Sequence, residues 1–139
     1  MKIKYDQDTI KIMNLFERVT RARLKDFFEK DNMNYFIVYK EDIGKAIGKQ
    51  ASNAKKITVM LKKPIKIIAY SEDLKEFIQN TIHPLKISNI EENETKKIIT
   101  LTAIDSKTRG LLIGRNASNL RNYEVIIKRY FDIDELKVN

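Results

Sequence analysis

Apolar residues at Ile12, Leu15, Phe16 and Val19 follow the i, i+3, i+4, i+7 spacing of one helix face, which predicts an amphipathic helix over 8–19. Residues 21–29 fit neither period cleanly and are read as a strand. Asp31-Asn32-Met33-Asn34 is a polar turn, with residue types that tolerate left-handed backbone. Tyr35-Phe36-Ile37-Val38-Tyr39 is aromatic and β-branched, so this strand and the one before it predict a hairpin. Short helices are expected at about 42–47 and 51–61. A buried strand follows at 65–70, and Pro64 stops the helix before it.

The same order recurs downstream. Ser71 is the candidate N-cap of a helix running to about Asn80, with Glu72 and Asp73 in its first turn. Strands are expected at about 85–91 and 96–104, joined by Glu92-Asn93-Glu94-Thr95. In the second strand Ile99, Leu101 and Ala103 alternate with Thr100 and Thr102. A helix over about 117–131 places Leu120, Tyr123, Ile127 and Tyr130 on one face, and residues 135–138 close as a last strand. Each half therefore reads helix–strand–strand–helix–helix–strand, an α+β unit with a three-stranded sheet covered by helices. The expected domains are residues 1–70 and 71–139. Units of about 70 residues are marginal alone and gain from packing together.

The glycines strengthen the case for duplication. The chain has four, Gly44, Gly48, Gly110 and Gly114, and they form two matching pairs. Gly44-Lys45-Ala46-Ile47-Gly48-Lys49-Gln50-Ala51-Ser52-Asn53 aligns with Gly110-Leu111-Leu112-Ile113-Gly114-Arg115-Asn116-Ala117-Ser118-Asn119. Both glycines, the isoleucine and Ala-Ser-Asn are identical. A spacing of about half the chain marks a duplicated unit. Each segment is a tight loop between two helices with a cation at its tip. Glycine permits the sharp turn and close approach of a ligand to the backbone. The following helix offers free N–H groups to phosphate. A P-loop does not fit, because three residues rather than four separate the glycines and Gln50 replaces the Ser/Thr that would hold magnesium. A G-x-x-x-G membrane contact lacks the apolar helix it requires. A clamp for a single-stranded nucleic acid backbone remains.

Ile47-Gly48-Lys49-Gln50-Ala51 followed by a helix resembles the KH signature I-G-x-x-G, and Ile113-Gly114-Arg115-Asn116-Ala117 repeats it. The order of elements resembles the type II KH fold. Two such units in a chain this short, with Lys128-Arg129-Tyr130-Phe131-Asp132-Ile133 near the end, resemble the archaeal NusA-like transcription factors over essentially the whole chain. That resemblance implies two tandem type II KH domains, RNA binding, a role in transcription elongation or termination, and RNA polymerase as a partner. One position departs from the pattern. The signature ends in Gly, whereas this chain has Ala51 and Ala117. Alanine is tolerated there if the backbone is helical, and is disfavoured if φ is positive.

Charge placement agrees with an anionic partner. The 139 residues carry a formal net charge of +8. Residues 41–66 hold +5 and residues 105–129 hold +4, while the remainder is close to neutral. The RNA-binding candidates are therefore Lys45, Gly48, Lys49, Gln50, Ala51, Lys55 and Lys56 in the first unit. In the second they are Arg109, Gly114, Arg115, Asn116, Ala117 and Arg121. Ile47, Ile57 and Ile113 are candidates to line or support a groove for bases. Tyr35, Phe36 and Tyr39 are candidates for stacking or for the core. Ser52, Asn53, Ser118 and Asn119 are read as helix caps or sugar–phosphate contacts.

Composition excludes other classes. The chain has no Cys and a single His, so thiolate and His-rich metal sites are excluded, as is a disulfide framework. His83, before Pro84 in an expected interdomain turn, is assigned a structural role. The carboxylate pairs Glu41-Asp42, Glu72-Asp73 and Glu91-Glu92 are placed at helix starts or in turns. No nucleophile–base or metal constellation appears, so neither an enzyme, a cofactor nor a small-molecule substrate is expected. The longest stretch free of Asp, Glu, Lys and Arg is nine residues, 77–85, against the roughly 20 a membrane helix needs. A cytoplasmic protein is expected. Two further functions stay open beside a transcription factor on nascent RNA. One is a KH protein of ribosome biogenesis or translation, and the other is an interaction scaffold whose altered loops no longer hold RNA.

Overall fold

A computed structural model of the chain describes residues 4–139. Residues 1–3, with which the first expected domain opens, lie outside the described residues. The chain divides after Ser71 into two compact units.

In the first unit, helix α1 (Gln7–Thr20) starts at Asp6, whose carboxylate accepts the Thr9 N–H at 2.7 Å. It ends at Arg21, where φ is +60° and the N–H donates to Glu17 O. Strands β1 (Leu24–Lys30) and β2 (Met33–Tyr39) pair antiparallel, with Lys30 opposite Met33. Only Asp31 and Asn32 lie between them, with φ of +52° and +64°, as the two-residue turn of a hairpin demands. Helices α2 (Ile43–Ile47) and α3 (Ser52–Leu61) follow, then β3 (Ile65–Tyr70), parallel to β2. The sheet order is β1-β2-β3.

The second unit repeats this with α4 (Leu74–Ile82), β4 (Ile87–Asn93), β5 (Ile98–Ala103), α5 (Ser106–Ile113), α6 (Ser118–Lys128) and β6 (Glu135–Val138). Its sheet order is β4-β5-β6, again one antiparallel and one parallel pair. Even the irregularity is duplicated. The register slips between Leu24 and Asp26 in β1 and between Ile87 and Asn89 in β4. The protein is thus two tandem type II KH domains of α+β class, each with the helix–strand–strand–helix–helix–strand order.

Amphipathicity explains the packing. Phe16 on α1 is fully buried, its ring stacked on Phe36 of β2 with centroids 4.2 Å apart, and Phe27 tilts against Phe36 at 4.8 Å. Ala46 of α2 and Ile57 of α3 complete this core. Both helices that flank the glycine segment are thereby fixed on the sheet. Leu112, Leu120, Ile126 and Ile127 are the buried apolar residues of α5 and α6.

Several expectations change in detail. Asp73, not Ser71, caps α4, because its carboxylate sits in reach of the Glu76 N–H. His83 does not lie between domains. It follows α4 inside the second unit, donating its N–H to Gln79 O. Glu91 and Glu92 lie on β4 rather than in a turn, which falls at 94–97. The last helix ends at Lys128, three residues earlier than its apolar pattern suggested. Tyr130 still packs edge-on against Phe77, so the pattern marked burial beyond the helix.

Candidate nucleic-acid interface

The two glycine segments adopt the same backbone. Gly48 has φ +78° and ψ 169°, and Gly114 has φ +72° and ψ 178°. Only glycine occupies that region without strain. Gln50 and Asn116 both have φ +54° and ψ 35°. Ala51 (φ +60°, ψ 26°) and Ala117 (φ +61°, ψ 21°) follow, also left-handed. Each loop therefore makes two consecutive left-handed steps between one helix and the next.

This settles the question that the two alanines raised. The position needs positive φ, not an ordinary helical conformation. A Cβ in that region costs about 1–2 kcal/mol. Part of this returns when glycine is substituted, because glycine orders at a greater entropic cost. Ala51→Gly and Ala117→Gly are each expected to stabilise the protein by about 1 kcal/mol. Urea unfolding checks this. No gain in midpoint from either variant would mean that the loops relieve the strain elsewhere.

The repeated Asn closes the loop. Asn53 Nδ2 donates to Lys45 O at 2.7 Å, and Asn119 Nδ2 donates to Leu111 O at 2.9 Å. A side chain on the second helix thus satisfies a carbonyl at the exposed end of the first. These residues tie the helices together, which answers whether they are free for sugar or phosphate. Ala51 and Ala117 occupy the N-cap positions of α3 and α6 and make no side-chain cap. Both helix starts therefore lack the hydroxyl or carboxylate that usually covers their N–H groups.

The structure sorts the remaining candidates. Lys45, Lys49, Lys55, Lys56 and Arg115 are exposed around the loops. Lys49, Lys55, Lys56 and Arg115 have no ion-pair partner among the described residues. Arg121 donates to Glu124 Oε2 at 2.7 Å and to Leu136 O at 3.4 Å, and Arg109 donates to Asn139 O at 2.8 Å. Both arginines are held inside the second unit. Lys63 pairs with Glu29 at 2.7 Å, and Lys66 lies on β3, where burial lowers its pKa. Of the groove candidates, Ile57 is fully buried core, Ile47 is exposed and Ile113 is half-buried. Tyr35 and Phe36 are buried and unavailable for stacking. Tyr39 is exposed, with the Arg23 guanidinium 5.1 Å above its ring.

Two carboxylates brace the elements that carry the loops, Asp42, expected at a helix start or turn, and Glu124, to which the sequence assigned no role. Asp42 accepts from the Arg23 N–H at 2.8 Å and from Arg23 Nε at 3.1 Å, and these bonds hold its pKa below the usual carboxylate range. Glu124 accepts the Leu136 N–H at 2.8 Å as well as Arg121, joining α6 to β6. The Arg121–Glu124 spacing of i, i+3 was the available signal for that pair.

Comparison with known proteins agrees with this architecture. No protein-family model matches the chain. It is 32% identical over 139 residues to the "Probable transcription termination protein NusA" of Methanococcus vannielii, covering 99% of this chain and 80% of that protein. The chain belongs to the NusA-like transcription termination protein family. The similarly named protein of Methanocaldococcus jannaschii is 29% identical over 138 residues, which cover 99% of this chain and 75% of that one. The NusA-like protein of Halococcus morrhuae is 22% identical, with 99% of both chains covered. Among solved structures, the crystal structure of APE1850 matches with a TM-score of 0.75 at 21% identity, covering 97% of this chain and all of that one. That likeness concerns the fold. The family is one of transcription, and the NusA-like chain keeps its repeated loop in both halves. No helix of the described residues is long and apolar enough to cross a membrane.

Proposed function

We propose that this protein binds single-stranded, nascent RNA through its two loops and thereby modulates transcription elongation or termination, in contact with RNA polymerase. The observation that carries the reading is the pair of loops with matching torsions, each presenting an uncapped helix start and an unpaired cation, Lys49 or Arg115. Each loop holds phosphate through the backbone N–H groups of Lys49 and Gln50, or of Arg115 and Asn116, because those of Gly48, Ala51, Gly114 and Ala117 donate to carbonyls of the chain itself. Lys45, Lys55 and Lys56 extend the contact along the first unit. Arg109 and Arg121, each held inside the second unit through part of its guanidinium, add to the field rather than anchor a phosphate. Ile47 and Ile113 border the loops and offer apolar surface to unstacked bases. Family membership supports the transcriptional setting, and that setting is the ground for proposing the polymerase as a partner.

Titration of labelled single-stranded RNA across salt tests the reading. With about four phosphates neutralised, log K is expected to fall with log salt at a slope of about −2.8, or about 50-fold between 50 and 200 mM. The double variant Lys49→Asp/Arg115→Asp is expected to lose most of this binding. Absence of binding by the wild type at low salt would sink the RNA reading. Unchanged binding by the double variant would sink the loop mechanism alone.

A further inference from the structure

The loops match in backbone but not in their surrounding charge. Four position pairs within the duplicated segments make the comparison direct. Lys49 corresponds to Arg115, and both are exposed cations without an ion-pair partner among the described residues. Lys45 corresponds to Leu111, an exposed leucine. Lys56 corresponds to Asn122, which carries no charge.

The fourth pair, Lys55 and Arg121, keeps its charge in the sequence but not in its availability. Arg121 is bonded to the Glu124 carboxylate, which is itself nearly covered and also holds the Leu136 N–H. The residue corresponding to Glu124 in the first unit is Thr58, whose hydroxyl donates to Ala54 O. No carboxylate therefore restrains Lys55. The other cations of the second segment do not make up the difference. Arg109 donates to Asn139 O, Lys128 stands 3.9 Å from Glu124 Oε1, and Lys107 lies in the first turn of α5, at the end away from the loop.

Resting on the RNA reading above, we infer that the two loops divide the work unequally. The first unit is the phosphate clamp and contributes about three of the roughly four neutralised phosphates. The second contributes about one, through Arg115. Leu111 stands where the first unit has Lys45, at the residue whose carbonyl the repeated Asn holds. An exposed apolar side chain there suits an unstacked base and not a phosphate. Apolar surface elsewhere does not distinguish the units, since Val59 is exposed in the first where Val125 is in the second. The units differ in the cations they offer.

Residue exchange between the units tests this on the full chain, with a labelled mixed-sequence 20-nucleotide RNA as probe. Lys45→Leu/Lys56→Asn gives the first unit the residues of the second. Its salt slope is expected to relax from about −2.8 to about −1.4, so the loss between 50 and 200 mM shrinks from about 50-fold to about 7-fold. Leu111→Lys gives the second unit the residue of the first. Its slope is expected to steepen to about −3.5, a loss of about 130-fold over the same range. All these residues are exposed or half-exposed, and circular dichroism checks that each variant is folded. A wild-type slope unchanged by Lys45→Leu/Lys56→Asn overturns the unequal division, provided the wild type binds. A wild type that fails to bind at low salt overturns the RNA reading instead, and this inference with it.

Discussion

Gly48→Ala is expected to destabilise the first unit by about 3 kcal/mol and to abolish its contribution to RNA affinity. The backbone there has φ +78° with ψ 169°, and leaving glycine's territory costs about 1–3 kcal/mol. Space makes it worse. A Cβ would stand 2.8 Å from Ser52 Oγ, 2.9 Å from Asn53 N and 3.0 Å from Asn53 Cγ. The Asn53 backbone cannot give way without moving α3, whose Ile57 is buried in the core. Overpacking of this kind costs about 1–3 kcal/mol more. At about 4–8 °C per kcal/mol for a unit of this size, the melting temperature falls by more than about 10 °C. Gly114→Ala meets the same obstacle in the second unit. Its Cβ would lie 2.6 Å from Asn119 Cγ, 2.7 Å from Asn119 Nδ2 and 2.9 Å from Asn119 Cβ. Rotation of the Asn119 side chain relieves the first two contacts at the cost of releasing Leu111 O, but its Cβ moves only with the α6 backbone. This variant should lose about as much stability as Gly48→Ala. Thermal unfolding followed by circular dichroism, with the RNA titration beside it, measures both. A loss below about 1 kcal/mol in either would mean that the loop shifts without penalty.

Phe16→Ala is expected to cost more, about 3–5 kcal/mol. The ring has no exposed surface and lies nearly parallel to Phe36, with 13° between the planes. Removing it leaves a cavity between α1 and the sheet that Phe27 and Phe36 cannot fill while they hold β1 and β2 in register. Globular proteins are stable by about 0.05–0.15 kcal/mol per residue, so about 70 residues have roughly 4–11 kcal/mol to lose. The variant therefore removes a large share of the first unit's stability, and its RNA affinity should fall with it. Urea unfolding measures the cost. A loss below about 1 kcal/mol would mean that α1 collapses onto the sheet without penalty.

Much of the fold was legible because it is local and repeated. The helical spacing of Ile12, Phe16 and Val19 placed α1. The polar stretch Asp31-Asn32-Met33-Asn34 marked a hairpin, whose turn the fold narrows to Asp31-Asn32, and the apolar run at 65–70 became β3 as written. Repetition did the rest, since each half predicted the other. Details that depend on which of several polar groups wins were not legible. Asp73 displaced Ser71 as a cap because only its carboxylate reaches the Glu76 N–H. Glu124 draws Arg121 into the second unit because β6 returns beside α6, a pairing created by folding. The spacing of the two residues permits the ion pair but does not predict the Leu136 contact.

The alanines show the same boundary most clearly. From residue order alone came the duplication, the α+β unit, the position of both loops and the concentration of positive charge about them. All of these follow from periodicity and spacing along a chain. Tertiary structure decided that Ala51 and Ala117 carry positive φ, because a helix pair anchored through Ala46, Ile57, Leu112 and Leu120 leaves the short connection no other path. It also decided which cations remain available. A lysine and an arginine at matching positions read alike in sequence, and they differ only because one has a buried carboxylate beside it in space.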